Sequence, residues 1–434
     1  MKVGDAEAKE VRKFVEAVCE KFGPRYSCSE SERAAQEWYR DQLSKFCDVV
    51  LHDEFQTHPN LYPQGIFKIT GACVLAAPIL VPMRFPFSLV AALLVGLGLF
   101  VLVSELFFMK EWVGFLFKKG TSANAFGVVR PTGEVRGRVV FEGHTDSPKA
   151  MRMAEFGDDP PLVKFALGLA YVPVVLVVAL SKFFGTWPTV AGFRVLARFG
   201  PVEWTPLDWG FLVASLVLYP AFVSVVRGFT GDTLTLGAND NLSGAAVSWA
   251  VGKYFASHRP RHVEVWVGST GSEEVGDQGA KAFVEKYGKA GWLDDALVFV
   301  LDSAGAGSEI FAIHKDTMHR ATYSEKVIER IKRAHERVAA EDPDAIPCDV
   351  GRIPLGSTDA CRYVHAGYEA GAIIVVDGAL KKPRNWHSPD DVPENLDDAV
   401  LRQVLELCVR FVEVVDEELA ASGGPPVEPF EPGP

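Results

Sequence analysis

Four long apolar runs, Ile69–Met83, Phe85–Met109, Phe165–Leu180 and Trp209–Val226, restrict this 434-residue chain to folds that can hold them out of water. Charges sit at their ends: Lys68, Arg84 and Lys110 around the first pair, Lys164, Lys182, Asp208 and Arg227 around the second. Leu89–Phe100 has no polar face, and a core helix of a water-soluble domain rarely lacks one. Trp112, Trp187, Trp204 and Trp209 stand at or near run ends, as in an interfacial aromatic belt. A spanning helix needs about 17–25 apolar residues, which the second run meets with margin and the others approach. The runs predict two transmembrane hairpins, residues 66–110 and 162–228, with a lipid bilayer as partner and a helix surface open to homo-oligomerisation. Two crossings per hairpin return the chain to the side it left.

The polar remainder, residues 1–65, 111–161 and 229–422, then reads as one discontinuous α/β domain, followed by a Pro/Gly-rich tail, 423–434, expected to be disordered. Val3–Phe22, Glu30–Phe46, Leu242–His258 and Asn395–Ala420 have helical periodicity, with Ser29 as an N-cap. A formal charge of -12 argues against nucleic acid as a partner. The seven cysteines are dispersed without a Cys-x-x-Cys pair, which disfavours a disulfide framework and favours a reducing compartment. The first 21 residues are charged throughout, unlike a signal peptide. Lys110, Lys118, Lys119, Lys149, Arg152, Lys164 and Arg227 outnumber Arg84, Lys182, Arg194 and Arg198, which predicts an integral membrane protein with its polar domain in the cytoplasm.

Within that domain, five short segments carry metal-ligand chemistry: His144-Thr145-Asp146, Asn239-Asp240-Asn241, Glu273-Glu274, Asp302 and His387. Alone, each has an ordinary structural explanation; acidic pairs, for instance, favour helix starts. Together, two imidazoles and three carboxylates can hold a pair of divalent ions, leaving one carboxylate to take a proton from water. The donors favour zinc and also suit cobalt or manganese. Four segments follow apolar runs that read as strands: Val139–Phe141, Val263–Val267, Leu297–Leu301 and Ile373–Val376. In open α/β sheets, ligands gather beyond the carboxyl ends of strands.

These segments resemble the M28 (aminopeptidase Y/leucyl aminopeptidase-like) zinc peptidases. The matching text is Glu142-Gly-His-Thr-Asp-Ser-Pro148, Gly237-Ala-Asn-Asp-Asn-Leu-Ser-Gly244, Ser272-Glu-Glu-Val-Gly276, Leu301-Asp-Ser303 and Trp386-His-Ser-Pro-Asp390. The resemblance implies a mixed-sheet, three-layer zinc-exopeptidase fold (phosphorylase/hydrolase-like), here with four transmembrane helices inserted. It implies two zinc ions bridged by Asp240, one completed by His144 and Asp302, the other by Glu274 and His387. It makes Glu273 the general base and Asp146 the residue that orients His144. The related M20 peptidases share the ligand order but carry an extra domain, for which Asp302–His387 leaves no room. Gly356-Ser-Thr-Asp359 is similar to the family segment lining the substrate side of the cleft, and His314 is placed on a strand near it. The other histidines, His319 among them, show no partner pattern. The chemistry implied is removal of N-terminal residues from peptides. Carboxypeptidase action and hydrolysis of N-acyl amides or lipopeptides on the same site stay open, as does a non-catalytic receptor on this fold, which would be expected to have lost ligands. A one-zinc cyclase is disfavoured by the intact ligand set.

Overall fold

Short runs rich in Val, Ile and Phe form strands here because branched and aromatic side chains fit a sheet covered on both faces. The computed structural model describes residues 3–151, 161–186, 194–354, 356–378 and 381–432; Arg152 and Trp187 lie outside the described residues. In chain order the strands are β1 (Val49–Thr57), β2 (Gly120–Val129), β3 (Gly137–His144), β4 (Ala197–Phe199), β5 (Val202–Trp204), β6 (Val263–Thr270), β7 (Ala296–Asp302), β8 (Glu309–Asp316), β9 (Ala321–Thr322), β10 (Cys348–Ile353) and β11 (Glu369–Val376). Nine of them make one mixed sheet in the order β1-β2-β6-β3-β7-β11-β8-β10, with β9 paired to β8; β4 and β5 pair separately. The central strands β6, β3, β7 and β11 are parallel, so their carboxyl ends share one edge of the fold. β1 and β2 join antiparallel on one side, and β8 runs antiparallel to β11 on the other.

Alternation along each strand supplies both faces of the sheet. Val263, Val265 and Val267 of β6 share a core with the helices Asp5–Phe22, Gly244–Ser257 and Asp398–Ser422. Trp266, between them, points the other way and meets Phe283 and Tyr287 edge-on, with centroids 6.1 and 5.8 Å apart. The result is an α/β sandwich of three layers. Local signals hold where expected: the Ser29 side chain accepts from the Glu32 N–H and caps the helix Glu30–Leu43.

The tail departs from the sequence expectation of disorder. Phe430 is 2% exposed, with ring centroids 4.5 Å from Trp266 and 4.9 Å from Trp292. The Phe430 N–H donates to Glu264 Oε2 at 3.0 Å, and the Val427 N–H to the Val135 carbonyl at 2.8 Å. Low helix and strand propensity does not prevent one aromatic from anchoring an irregular segment in an aromatic pocket. All seven cysteines are free.

The chain divides into two compact units: Met1–Pro59, Lys119–Ala150 and Thr233–Pro434 form the first; Asn60–Lys118 and Met151–Asp232 form the second. Among the described residues, the second contains four helices long and apolar enough to cross a membrane: Leu61–Leu80, Phe87–Phe107, Phe165–Gly185 and Pro206–Phe229. Small residues let them approach: Thr70 Oγ1 donates to the Gly98 carbonyl at 3.1 Å, and a Cβ on Gly168 would lie 2.4 Å from Val225 Cγ2. Leu93, Leu97, Leu216 and Val217 project outward, each more than half exposed. Lys182 and Asp208, both buried, pair at 2.8 Å, and Asp208 Oδ2 also accepts from the Thr205 N–H at 2.7 Å. At the same end the Glu203 N–H donates to the Pro82 carbonyl and the Arg84 N–H to the Pro201 carbonyl, both at 2.9 Å, joining the two hairpins.

Candidate metal centre

Parallel pairing in the middle of the sheet brings the five segments together. His144 is the last residue of β3, opposite Thr270 of β6. Glu273 and Glu274 follow β6, Asp302 ends β7 opposite Ile374, and His387 lies in the loop after β11. Asp240 stands in the irregular turn Ala238–Ser243 that leads into the helix Gly244–Ser257, with a cis peptide to Asn241. Ser272, Ser303 and His387 have φ of 55°, 46° and 51°, a left-handed conformation that costs a non-glycine residue energy and recurs at functional sites.

Asp240 lies between the two imidazoles. Its Oδ1 is 3.4 Å from His144 Nε2 and its Oδ2 is 3.4 Å from His387 Nε2. Glu274 Oε2 is 3.3 Å from His387 Nε2, while ligand atoms of His144, Asp240 and Glu274 all fall within 4.8 Å of one another. His144, Glu273 and Asp302 form an overlapping group on the same criterion. Glu274 thus adjoins both imidazoles, so the donors form one continuous cluster rather than two separate sets. All are buried or nearly so.

The residues fit divalent metal. Separations of 3.3–3.4 Å are long for hydrogen bonds. They match the edges of a tetrahedron whose centre is about 2.0–2.2 Å from each donor, as zinc requires. Glu274 Oε1 is buried without a hydrogen-bond partner among the described residues. Burial, reinforced by Asp240, pushes the Glu274 carboxyl well above its ordinary range and that of Asp302 to about 7. Burial does the same to Glu273, with Asp277 and Glu274 adding to it against His144. For His144, burial works against the charged form but Glu273, Asp146 and Asp240 outweigh it, raising its pKa; burial lowers that of His387. The cluster holds more negative charge than two imidazoles balance, and a cation resolves that excess. Nitrogen and oxygen donors alone suit zinc, cobalt or manganese.

Surrounding groups hold the donors in place. The two oxygens of Asp146 accept from the consecutive N–H groups of Glu273 and Glu274, at 3.0 and 3.1 Å, and Oδ2 also accepts from Ser27 Oγ at 2.8 Å. His144 Nδ1 is nearer to the Asp146 carbonyl, 3.1 Å, than to its carboxylate, 3.4 Å, so the expected orienting contact runs mainly through the backbone. Three residues around the donors were not singled out from the sequence. Asp391 accepts from the N–H groups of Asn239 and Asp240 at 2.6 and 3.0 Å. Glu32, buried, accepts from the Ser272 N–H at 2.8 Å. Arg25, also buried, donates to the Thr145 and Leu236 carbonyls. Only Asp391 had a cue, lying directly after the Trp386–Asp390 motif.

The segment 356–359 is divided. Gly356 faces Trp386, whereas Asp359 is buried and accepts from Thr270 Oγ1 at 2.6 Å. His314 is exposed, its Nδ1 2.8 Å from the Gly351 carbonyl.

Comparison with known proteins bears on the family model and the fold. Residues 223–412 match the model of Peptidase family M28, as the motifs led one to expect. No curated protein sequence matches the chain. Among solved structures, the chain is similar to a zinc aminopeptidase from Bacillus subtilis, with TM-score 0.53 and 14% identity over 94% of this chain and 95% of that one. A leucine aminopeptidase precursor from Bacteroides thetaiotaomicron gives TM-score 0.52 and 13% identity over 95% and 97%. A glutaminyl cyclase from Fimbriiglobus ruber gives TM-score 0.53 and 13% identity, again over 95% and 97%. The fold is that of these zinc aminopeptidases and glutaminyl cyclases.

Proposed function

We propose that this chain is a membrane-anchored dinuclear zinc exopeptidase, an aminopeptidase acting on peptides, with its catalytic unit on the cytoplasmic side. The observation that carries the reading is Asp240, which presents one carboxylate oxygen to each of two imidazoles. The assignment gives Asp240 the bridging role, with His144, Glu274, Asp302 and His387 as the remaining ligands. Two zinc ions held there would acidify water and polarise the scissile carbonyl.

The rest falls to the chain's own groups. Glu273 takes a proton from the attacking water on a carboxylate oxygen as the water oxygen bonds to the carbonyl carbon. It returns that proton to the amide nitrogen as the C–N bond breaks, so water is divided between the two products. Asp146 fixes the backbone of this base through the Glu273 N–H. The four apolar helices support the anchoring, and the flanking Lys and Arg residues support the cytoplasmic side.

The test is metal analysis of the full chain together with a substrate panel. Two zinc equivalents and release of N-terminal residues from short peptides are expected. Turnover confined to C-terminal residues or N-acyl amides would replace the aminopeptidase assignment. Ammonia release from N-terminal glutamine without peptide cleavage would make the protein a cyclase. No turnover on any of them, with the metals bound, would favour a receptor.

A further inference from the structure

A second cluster of metal-ligand side chains lies apart from the one just described. Asp277, His319 and Cys361 each place a ligand atom within 4.8 Å of the other two, and they are 1%, 2% and 0% exposed. They come from three separate pieces of chain: the loop after Glu274, the turn after β8, and the helix Ala360–His365. Cys361 Sγ donates to Asp277 Oδ2 at 3.4 Å. His319 Nδ1 is 3.1 Å from Oδ2 of Asp316, itself fully buried, and Asp316 Oδ1 accepts the His319 N–H at 3.0 Å. Arg362 Nε stands 3.8 Å from Asp277 Oδ2.

This is the chemistry of a soft divalent site. Asp316 beside Nδ1 favours the tautomer that leaves the lone pair on Nε2 and makes the ring more basic, the usual state of a metal-bound histidine. Thiolate, imidazole and carboxylate are all donors that zinc takes. Charge closes as well: Asp277, Asp316 and a Cys361 thiolate carry three negative charges, Arg362 supplies one positive, and a divalent ion supplies the other two. The only covalent change is loss of the thiol proton to solvent as the sulfur–metal bond forms.

We infer that Asp277, His319 and Cys361 bind one further zinc ion, as a buried structural site. The site reaches the base through the backbone. The Asp277 and Gly276 N–H groups both donate to the Glu273 carbonyl, at 2.7 and 2.8 Å, and Asp277 itself has φ of 51°. An ion on Asp277 therefore holds the turn that carries Glu273 and Glu274. The inference does not depend on the proposed peptidase activity, because the two clusters share no residue.

Cobalt substitution of the full-length protein in detergent separates the two. The donors around Asp240 include no sulfur, so a near-ultraviolet thiolate-to-cobalt charge-transfer band cannot arise there. The expected result is such a band in the unaltered protein, its loss in Cys361→Ser, and a fall of about one equivalent in tightly held metal. Cys28→Ser should keep the band. An unaltered protein fully loaded with cobalt yet lacking the band would overturn the inference, whether or not the Cys361 variant folds. So would a band that survives Cys361→Ser.

Discussion

Asp146 Oδ1 accepts the backbone N–H of Glu273 at 3.0 Å, so a residue two positions after one proposed ligand fixes the turn that carries the proposed base. The second Asp146 oxygen does the same for Glu274. One carboxylate thereby couples the ends of β3 and β6, which are adjacent in the sheet and far apart in sequence. Asp146→Ala should lower kcat by about 10- to 100-fold, in line with the usual cost of losing a group that supports metal ligands. Asp146→Asn, which keeps one acceptor oxygen, should fall between. Steady-state kinetics with parallel metal analysis checks this, and a change confined to KM would contradict it.

Glu273 and Asp240 should fail in different ways. Glu273→Gln keeps the side-chain shape but cannot take the proton, so turnover should drop by about 10²–10⁴-fold with metal content unchanged. Asp240→Ala removes the carboxylate between His144 and His387 and should lower occupancy of both ions. Metal analysis after dialysis distinguishes them. Metal lost in Glu273→Gln and retained in Glu274→Gln would exchange the roles of the two glutamates.

Arg84 lies in the turn of the first hairpin and is exposed, as is Ser422 at the end of the last helix. Single cysteines at these positions should label from opposite faces of sealed vesicles, with Ser422→Cys on the cytoplasmic side. Ser88, nearer the turn's helix, is fully buried and unsuited to the experiment. Labelling of both from the same face would exclude the hairpin topology.

Phe430 should matter for stability although it lies in an irregular tail. Phe430→Ala leaves a void against Trp266 and Trp292 and should cost about 3 kcal/mol. The tryptophan-fluorescence midpoint in urea should fall accordingly while kcat is kept. An unchanged midpoint would show that the tail does not anchor the fold.

The sequence alone carried the donor types of the candidate metal cluster and the hydrophobic plan. Histidine, aspartate and glutamate are required by ligand chemistry whatever the fold, so His144, Asp240, Glu274, Asp302 and His387 stand out once their strand-end positions are noticed. The apolar runs are equally local, because the composition of each helix is enough to say that it can cross a membrane. What lies around the donors is not local. Asp391 reaches back 151 residues to the Asp240 N–H and Glu32 forward 240 to the Ser272 N–H, and neither has a motif of its own. His319 carried no pairing signal, yet it meets Asp277 and Cys361. The tail's composition suggested disorder, but Phe430 finds a pocket made by Trp266, Tyr287 and Trp292. Those contacts exist only after the order β6-β3-β7-β11 is set. Strand order depends on the summed packing of the whole sheet, and no short segment encodes it.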